Sequence, residues 1–180
     1  MQTLVVSDTS IFIDLLEIGL LSSFFEIGWE IHTTDFVIQE LTDNDERERV
    51  LMYQQSGLLT IKAFSGEEML ELLEMFQEYQ TQSNLSIQDC SVMYYAKNCS
   101  ALLLTGDAQL RKKATLDNIE VRGIIYVLDV IKDRGLLPIS ELIEKAEKLN
   151  LLNPRLPKNE MHSRISQWKT ELNEDLPMEE

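Results

Sequence analysis

Two short stretches of the sequence are apolar at every position: residues 4–6 are Leu-Val-Val and residues 102–104 are Leu-Leu-Leu. A strand with one face in water alternates apolar and polar side chains, whereas a strand inside a parallel sheet is buried on both faces. Both stretches are therefore predicted to be central strands that lie next to each other. Strand and helix patterns alternate along the chain, which predicts an α/β fold with three layers, α/β/α, and a central parallel sheet.

The other elements follow from periodicity and capping residues. We expect further strands near residues 30–32, 58–62 and 119–122. Helices are expected over 11–16, 20–25, 36–40, 44–55, 65–76, 86–98 and 125–134, with one more directly after Asp107. The polar residues 79–86 are predicted to form a loop. Residues 1–150 are expected to form one domain. The C-terminal region, 151–180, is expected to hold a linker over 153–158, a helix over 161–172 and an acidic tail over 173–180.

Charge and cysteine content exclude several classes of protein. Thirty-one acidic residues face sixteen basic ones, giving a net charge of -15, which argues against a general nucleic-acid coat protein because such proteins meet phosphates with Lys and Arg. A nuclease with a few well-placed bases, or a basic protein partner, stays open. On one helix Cys90 and Cys99 would lie about 900° and roughly 13 Å apart, too far for a disulfide. We therefore expect a reduced, cytoplasmic protein, without signal peptide or membrane span.

Acidic residues follow both predicted central strands. Asp8 comes directly after the first and Asp107 shortly after the other, so both are expected at the carboxyl edge of the sheet, where sites of parallel α/β proteins gather. Glu40 and Asp89 lie on predicted helices that can border the same edge. Two carboxylates about 5 Å apart repel by roughly 3 kcal/mol at an effective dielectric near 20. A hard divalent cation, Mg²⁺ or Mn²⁺ rather than Zn²⁺, removes this cost, and can activate water and stabilise charge on an attacked phosphate.

Four segments of the chain resemble the motifs of PIN domains, in the family's order and spacing. V-S-D-T-S-I-F-I-D, which contains Asp8, resembles the first motif, and I-Q-E-L, which contains Glu40, resembles the second. S-I-Q-D-C-S-V-M-Y-Y-A, with Asp89, and L-L-L-T-G-D-A-Q-L, with Asp107, resemble the third and fourth. The resemblance covers residues 3–130. One motif alone would be weak, whereas four together are fairly specific.

The resemblance implies a PIN-like nuclease domain over residues 1–150, acting as a metal-dependent endoribonuclease on RNA. Many such proteins are toxins of bacterial toxin–antitoxin pairs of the VapC type, which implies an antitoxin as protein partner, and we also expect a homodimer. Residues 138–180 extend beyond a minimal toxin of this type. The implied metal ligands, or residues that orient metal-bound water, are Asp8, Glu40, Asp89 and Asp107, with Ser10 and Thr105 as supporting hydroxyls.

A basic run follows Asp107 along the same predicted helix. Arg111, Lys112 and Lys113 are candidates to receive RNA phosphates, although ordinary exposed bases would look the same. At 100° per residue Arg111 lies nearly over Asp107. We therefore expect Arg111 to lean toward the acids and at least one lysine to point to solvent. Two other acids, Asp14 and Asp43, are expected at the surface.

Each acid also has a purely structural interpretation, and two other functions compete. Asp89 stands where an acid favours a helix N-terminus, and Asp107 can cap the next helix. One competing function is another phosphohydrolase with an aspartate at a strand end. The haloacid-dehalogenase type needs a second Asp where Ser10 stands, and receiver domains need an acidic pair where Ser7 precedes Asp8. The other is a non-catalytic PIN-like module that binds a protein, which has no need of four acids.

Overall fold

The computed structural model describes residues 2–174, with Gln82 described by its backbone alone. In this part of the chain, five parallel strands form one sheet in the order β3-β2-β1-β4-β5. The strands are β1 Leu4–Ser7, β2 Glu30–Thr34, β3 Leu59–Lys62, β4 Leu102–Leu104 and β5 Val121–Arg122. Helices flank the sheet, so the predicted three-layer α/β/α fold with a central parallel sheet is confirmed.

Ten helices connect and cover these strands in the described residues. Most begin within a few residues of their predicted positions. They are α1 Thr9–Ile18, α2 Leu21–Glu26, α3 Asp35–Glu40, α4 Asn44–Gln55, α5 Gly66–Ser83, α6 Ile87–Cys99, α7 Ala108–Leu116, α8 Ile124–Asp133, α9 Ile139–Leu152 and α10 Lys158–Glu174.

The two apolar runs lie side by side at the centre of the sheet. In the register of β1 and β4, Val5 pairs with Leu102 and Ser7 pairs with Leu104. The side chains of these strands are buried on both faces apart from the half-buried Leu4, because helices cover both sides of the sheet. The backbone amide of Asp8 donates to the carbonyl of Leu104, 2.9 Å away. The two strands therefore end together, and the residues that follow each strand meet at one edge.

The segment predicted as a loop over residues 79–86 is helical as far as Ser83, so that prediction was wrong for most of its length. Polar composition suggested a loop, but Tyr79 is buried and anchors the last turns of α5 to the protein. Its hydroxyl donates to Asp117 Oδ2 at 2.6 Å. Tertiary packing of this kind overrides weak local preference. The helix ends at Asn84, whose φ of 52° is a left-handed cap.

The C-terminal helices pack on each other and on the domain. Helix α9 runs through position 150, where the domain boundary was predicted, and α10 buries Met161, Ile165 and Trp168 in the main hydrophobic core. The division at residue 150 stays a prediction. Of the predicted acidic tail, residues 175–180 lie outside the described residues. Within the described part, no helix is long and apolar enough to cross a membrane. Cys90 and Cys99 both lie on α6 as free thiols.

Candidate functional site

Asp8 is the buried centre of the carboxyl edge. It follows β1 as the N-cap of α1, and its Oδ1 accepts a hydrogen bond from the amide of Thr9 at 2.8 Å. Its Oδ2 accepts from two hydroxyls, Ser10 Oγ at 2.9 Å and Thr105 Oγ1 at 2.8 Å. The carboxyl is only 5% exposed. Three donors therefore fix its orientation, and the structure brings both hydroxyls that the resemblance pointed to onto this one side chain.

The same hydroxyls join Asp8 to the turn after β4. Ser10 Oγ accepts from the amide of Gly106 at 2.9 Å, and Thr105 Oγ1 accepts from the amide of Asp107 at 3.0 Å. A Cβ at Gly106 would stand 3.3 Å from Ser10 Oγ, so glycine permits the close approach. Asp107 caps α7 through a 2.8 Å bond from the amide of Leu110 to its Oδ1. Asp8 is thus linked through Thr105 to the backbone amide of Asp107, and through Ser10 to the backbone amide of Gly106.

Asp89 is positioned by a capping box at the start of α6. Its Oδ2 accepts from both the amide and the hydroxyl of Ser86, each at 2.8 Å, while Ser86 Oγ accepts from the amide of Asp89 at 3.1 Å. These contacts satisfy the interpretation of Asp89 as a helix-capping acid, yet they use only one of its carboxylate oxygens. The other oxygen has no hydrogen bond among the described residues.

Glu40 ends α3 and reaches the cluster from outside. Its Oε2 accepts a hydrogen bond from Thr9 Oγ1, next to Asp8 in the chain, although the residue as a whole is exposed. Helix α3 is held by its N-cap Thr34, whose hydroxyl accepts from the amide of Val37 at 3.3 Å and pairs with Ser91 Oγ of α6 at 2.8 Å. The same helix pair therefore carries Glu40 and Asp89. We call Asp8, Glu40, Asp89 and Asp107 the acid cluster.

The charges of the acid cluster act on one another. Burial raises the pKa of Asp8 to about 6; the Thr105 hydrogen bond opposes this rise and the negative charge of Asp89 adds to it. Burial also raises the pKa of Asp89, its bonds to Ser86 oppose the rise, and the charges of Asp107 and Glu40 add to it. When these carboxyl groups are ionised, their negative charges repel one another, as expected of a site that binds positive charge.

The donor chemistry of the acid cluster fits a hard divalent cation. All its donors are carboxylate oxygens, and in each residue at least one oxygen keeps lone pairs after its hydrogen bonds within the described residues. Those oxygens are Asp8 Oδ1, which accepts a single bond, Glu40 Oε1, Asp89 Oδ1 and Asp107 Oδ2. The side chains do not stand in an assembled coordination shell: among residues 2–174, no three His, Cys, Asp or Glu side chains converge as ready ligands.

The basic run after Asp107 divides into three different environments. Arg111 leans to the carboxyl edge, where its Nη2 donates to the carbonyl oxygen of Thr105 at 3.0 Å. Lys112 is exposed to solvent. Lys113 turns elsewhere: its Nζ lies 3.4 Å from Asp117 Oδ1 and 3.9 Å from the centre of the Tyr79 ring. Arg111 and Lys112 therefore remain available to a phosphate, whereas Lys113 has contacts that stabilise α7 against α5.

Asp14 was expected at the surface, and that expectation was wrong. Its side chain is only 4% exposed, and its Oδ1 accepts from Asn153 Nδ2 at 2.8 Å. Burial raises its pKa to about 6; the Asn153 bond opposes the rise and Glu17 adds to it. The sequence did contain a signal, since Asp14 lies three residues after Ile11 and four before Ile18, on the buried face of α1. Asp43 is exposed as predicted and caps α4.

The parallel five-stranded sheet and the acids at its carboxyl edge place the chain among α/β proteins with a site at the ends of their strands. Comparison with known sequences identifies the family. A family model described as a PIN domain matches residues 4–170, so the chain belongs to the PIN-domain family. "Endoribonuclease Nob1" from Methanocaldococcus jannaschii is 33% identical over 99 residues, covering 54% of this chain and 47% of Nob1. The chain thus spans about half the length of that curated relative.

A solved structure agrees with the fold. The crystal structure of PAE2754 from Pyrobaculum aerophilum aligns with a TM-score of 0.51 and 15% identity, over 72% of this chain and 98% of that one. At this identity the likeness supports the fold alone. FitAcB from Neisseria gonorrhoeae aligns with a TM-score of 0.42 and 13% identity, over 65% of this chain and 95% of that one.

Proposed function

We propose that this chain is a metal-dependent endoribonuclease whose acid cluster holds Mg²⁺ or Mn²⁺. The observation that carries the proposal is that four carboxylates at the carboxyl edge of a PIN-domain sheet, one after β1, one on α3, one on α6 and one after β4, lie close enough for their charges to act on one another. Membership of the PIN-domain family and the relative named as an endoribonuclease support the same activity. The acid cluster holds one buried carboxyl and three more accessible ones. Keeping them all ionised costs free energy unless a positive charge is bound there.

Each residue of the site has its own role in the proposed reaction. Asp8, held by Ser10 and Thr105, is the fixed anchor for the cation, and Asp107, Asp89 and Glu40 surround it with oxygens that have room to adjust. Arg111, fixed at the Thr105 carbonyl, places positive charge at the same edge for a substrate phosphate. A bound cation would polarise water for in-line attack on the phosphodiester and offset charge on the leaving oxygen.

An RNA-cleavage assay with added Mn²⁺ or Mg²⁺ tests this proposal. Asp8→Asn and Asp89→Asn should each lower the cleavage rate more than about 100-fold, because loss of an outer-shell partner alone costs a metal site 10–100-fold. The matched control is Asp133→Asn, since Asp133 is an exposed acid at the end of α8. Melts without metal should show the two site variants folded and at least as stable as the wild type, because burial cost and repulsion are relieved.

Wild-type cleavage rates in both site variants would refute the assignment. No metal-dependent cleavage by the wild type, together with tight binding of a protein, would instead favour the non-catalytic module. Hydrolysis of small phosphate esters with intact RNA would favour another phosphohydrolase with an aspartate at a strand end.

We further propose that the chain is the toxin of a toxin–antitoxin pair, in which the antitoxin partner regulates the nuclease. Its support is the resemblance together with the acid cluster itself, which a cationic side chain from a partner can neutralise in place of a metal. The neighbouring gene should then encode a small DNA-binding protein with a basic or Arg-bearing tail. Expression of this chain alone should be toxic; full nuclease activity without toxicity would count against the role. The expected homodimer is tested by light scattering on the purified chain.

A further inference from the structure

Helix α5 presents two leucines to solvent on its outer face. Leu70 is 64% exposed and Leu73 is 41% exposed, and about one helical turn separates them. The opposite face of the helix packs on the protein through Leu72 and Tyr79, which are buried. Single exposed leucines are common on protein surfaces, but two neighbours on one helix face form a continuous apolar surface. We call Leu70 and Leu73 the leucine ridge.

A row of glutamates runs along one side of the leucine ridge. At 100° per residue the four glutamates lie within about 60° of one another around the helix axis. All four are exposed, and α5 contains no Lys or Arg. Like charges three or four positions apart repel and destabilise a helix, so cations bound along this row would stabilise α5. The residues, which we call the glutamate row, are Glu67, Glu71, Glu74 and Glu78.

Cations of the chain itself do not neutralise the glutamate row. Among residues 2–174, none of its four carboxylates forms an ion pair. Lys62 reaches α5 but pairs with Glu68, on another side of the helix, at 2.6 Å. Glu71 accepts a 2.6 Å hydrogen bond from the hydroxyl of Tyr94, which is a neutral donor. The outer face of α5 therefore combines an apolar ridge with uncompensated negative charge.

The charge of this face limits what can cover it. The glutamate row repels nucleic acid, whose own surface is lined with phosphates. A second copy related by two-fold symmetry would place the same face on itself, so glutamates would face glutamates. Each copy also carries a net charge of -15, which adds to this repulsion. A helix with apolar side chains flanked by Lys or Arg complements both the ridge and the row.

We infer that the outer face of α5 is a docking surface for a basic amphipathic helix of a partner protein. Apolar side chains of the partner cover Leu70 and Leu73, and its cations lie along the glutamate row. The inference goes beyond the proposed function and does not depend on it. No residue of the ridge or the row belongs to the acid cluster, and none lines the cavities beside Asp107 and Arg111.

Binding of a designed peptide tests this inference. The probe is a fluorescent helical peptide of about 18 residues, with leucines three and four positions apart on one face and lysines beside them. Its affinity for the full chain is measured by anisotropy between about 50 mM and about 1 M salt. The matched probe is a peptide of the same composition in scrambled order. It should bind at least about ten-fold more weakly, because it has the same charge but no apolar face to cover the leucine ridge.

The variant Leu70→Gln, Leu73→Gln should bind the peptide about 10- to 100-fold more weakly. The exposed fractions of the two side chains together equal about one leucine, and complete burial of one leucine changes an affinity by about that factor. The control variant Met52→Gln, Leu151→Gln removes two exposed apolar side chains from α4 and α9. Its affinity should change by less than about two-fold.

The variant Glu74→Gln, Glu78→Gln should weaken binding about 2- to 10-fold at about 50 mM salt, because each exposed ion pair contributes little. At about 1 M salt, where the Debye length is about 3 Å, this difference should vanish, while the effect of the leucine substitutions should remain. The control variant Glu48→Gln, Glu144→Gln removes the same charge from exposed positions of α4 and α9 and should bind like the wild type.

Heteronuclear NMR locates the bound peptide. Its addition should shift the amide signals of Leu70, Leu73 and Glu74 and leave those of Asp8 and Asp107 in place. Shifts confined to the acid cluster would overturn the inference. So would the absence of peptide binding, equal binding of the scrambled peptide, or equal affinity of the leucine variant and its control.

Self-association is a further outcome that would overturn the inference. If light scattering shows a dimer of the wild type that the leucine variant loses, a second copy covers this face instead of a basic partner. The nuclease proposal fails or stands separately, because RNA cleavage with Mn²⁺ is measured without the peptide and on variants of the acid cluster.

Discussion

The buried carboxyl of Asp14 should make the stability of this protein depend on pH in a direction opposite to that of most acids. Asp14 packs beneath the segment that follows α9. Its Oδ1 accepts from Asn153, while its buried Oδ2 has no hydrogen-bond partner in the described residues. Burial raises its pKa from 3.8 to about 6. The folded state therefore binds the proton more tightly than the unfolded state does.

The size of the effect follows from these two values. A carboxyl whose folded-state pKa is raised contributes stability that is fully present below the unfolded pKa and is lost as pH rises through the folded pKa. With values of 3.8 and about 6, Asp14 alone should lower the free energy of unfolding by about 2 kcal/mol between pH 4 and pH 7. Asp14→Asn removes the titration and keeps an oxygen that accepts from Asn153.

Urea unfolding of the metal-free protein at a series of pH values measures this difference. The wild type should lose stability between pH 4 and pH 7. Asp8, whose pKa is also raised, contributes to that loss. Asp14→Asn should show a loss smaller by about 2 kcal/mol. Asp133→Asn, which changes a side chain that is 69% exposed, is the matched control. Parallel curves for wild type and Asp14→Asn would refute the reasoning, because the buried charge would then have no cost.

Three further changes test other parts of the structure by thermal or urea unfolding. Trp168→Ala should cost about 3–5 kcal/mol, because Trp168 is fully buried; a cost near zero would show that α10 is dispensable. Ser86→Ala should cost about 1 kcal/mol by removing the capping box that holds Asp89, and an unchanged midpoint would contradict this. Gly123→Ala puts a Cβ 2.6 Å from Arg111 Nη2. This substitution should displace the flexible guanidinium and weaken RNA binding, and should lower the free energy of unfolding by at most about 1 kcal/mol. Unchanged RNA binding would contradict the proposed role of Arg111.

The centre of the fold was predictable because burial on both faces leaves a direct mark in the sequence. Leu4–Ser7 and Leu102–Leu104 were placed correctly and as neighbours, since few structures other than a central parallel strand hide every side chain of so short a run. The end of α5 was not predictable from local pattern. Its last turns are polar, and the contacts of Tyr79 with Asp117, 38 residues away, and with Lys113 show why they stay helical.

The proximity of Asp8 and Asp107 was predictable from the fold, whereas the contacts around them were not. Asp8 and Asp107 follow strands, and strand ends in a parallel sheet share one edge, so their meeting required only the fold. The approach of Glu40 depends on how α3 packs against α6, and sequence order alone does not give that packing. Lys113 shows the same limit: its side chain lies over the Tyr79 ring of α5 rather than beside Arg111, a contact that the sequence pattern does not reveal.

The location of a bound cation tests the central claim most directly. Crystals of the protein soaked with Mn²⁺ and measured at the manganese edge should show an anomalous peak within about 2–2.5 Å of carboxylate oxygens from Asp8 and at least one other member of the acid cluster. The same soak of Asp8→Asn crystals should give no peak there. A wild-type map without a peak at the cluster, or with manganese bound only elsewhere, would contradict the account.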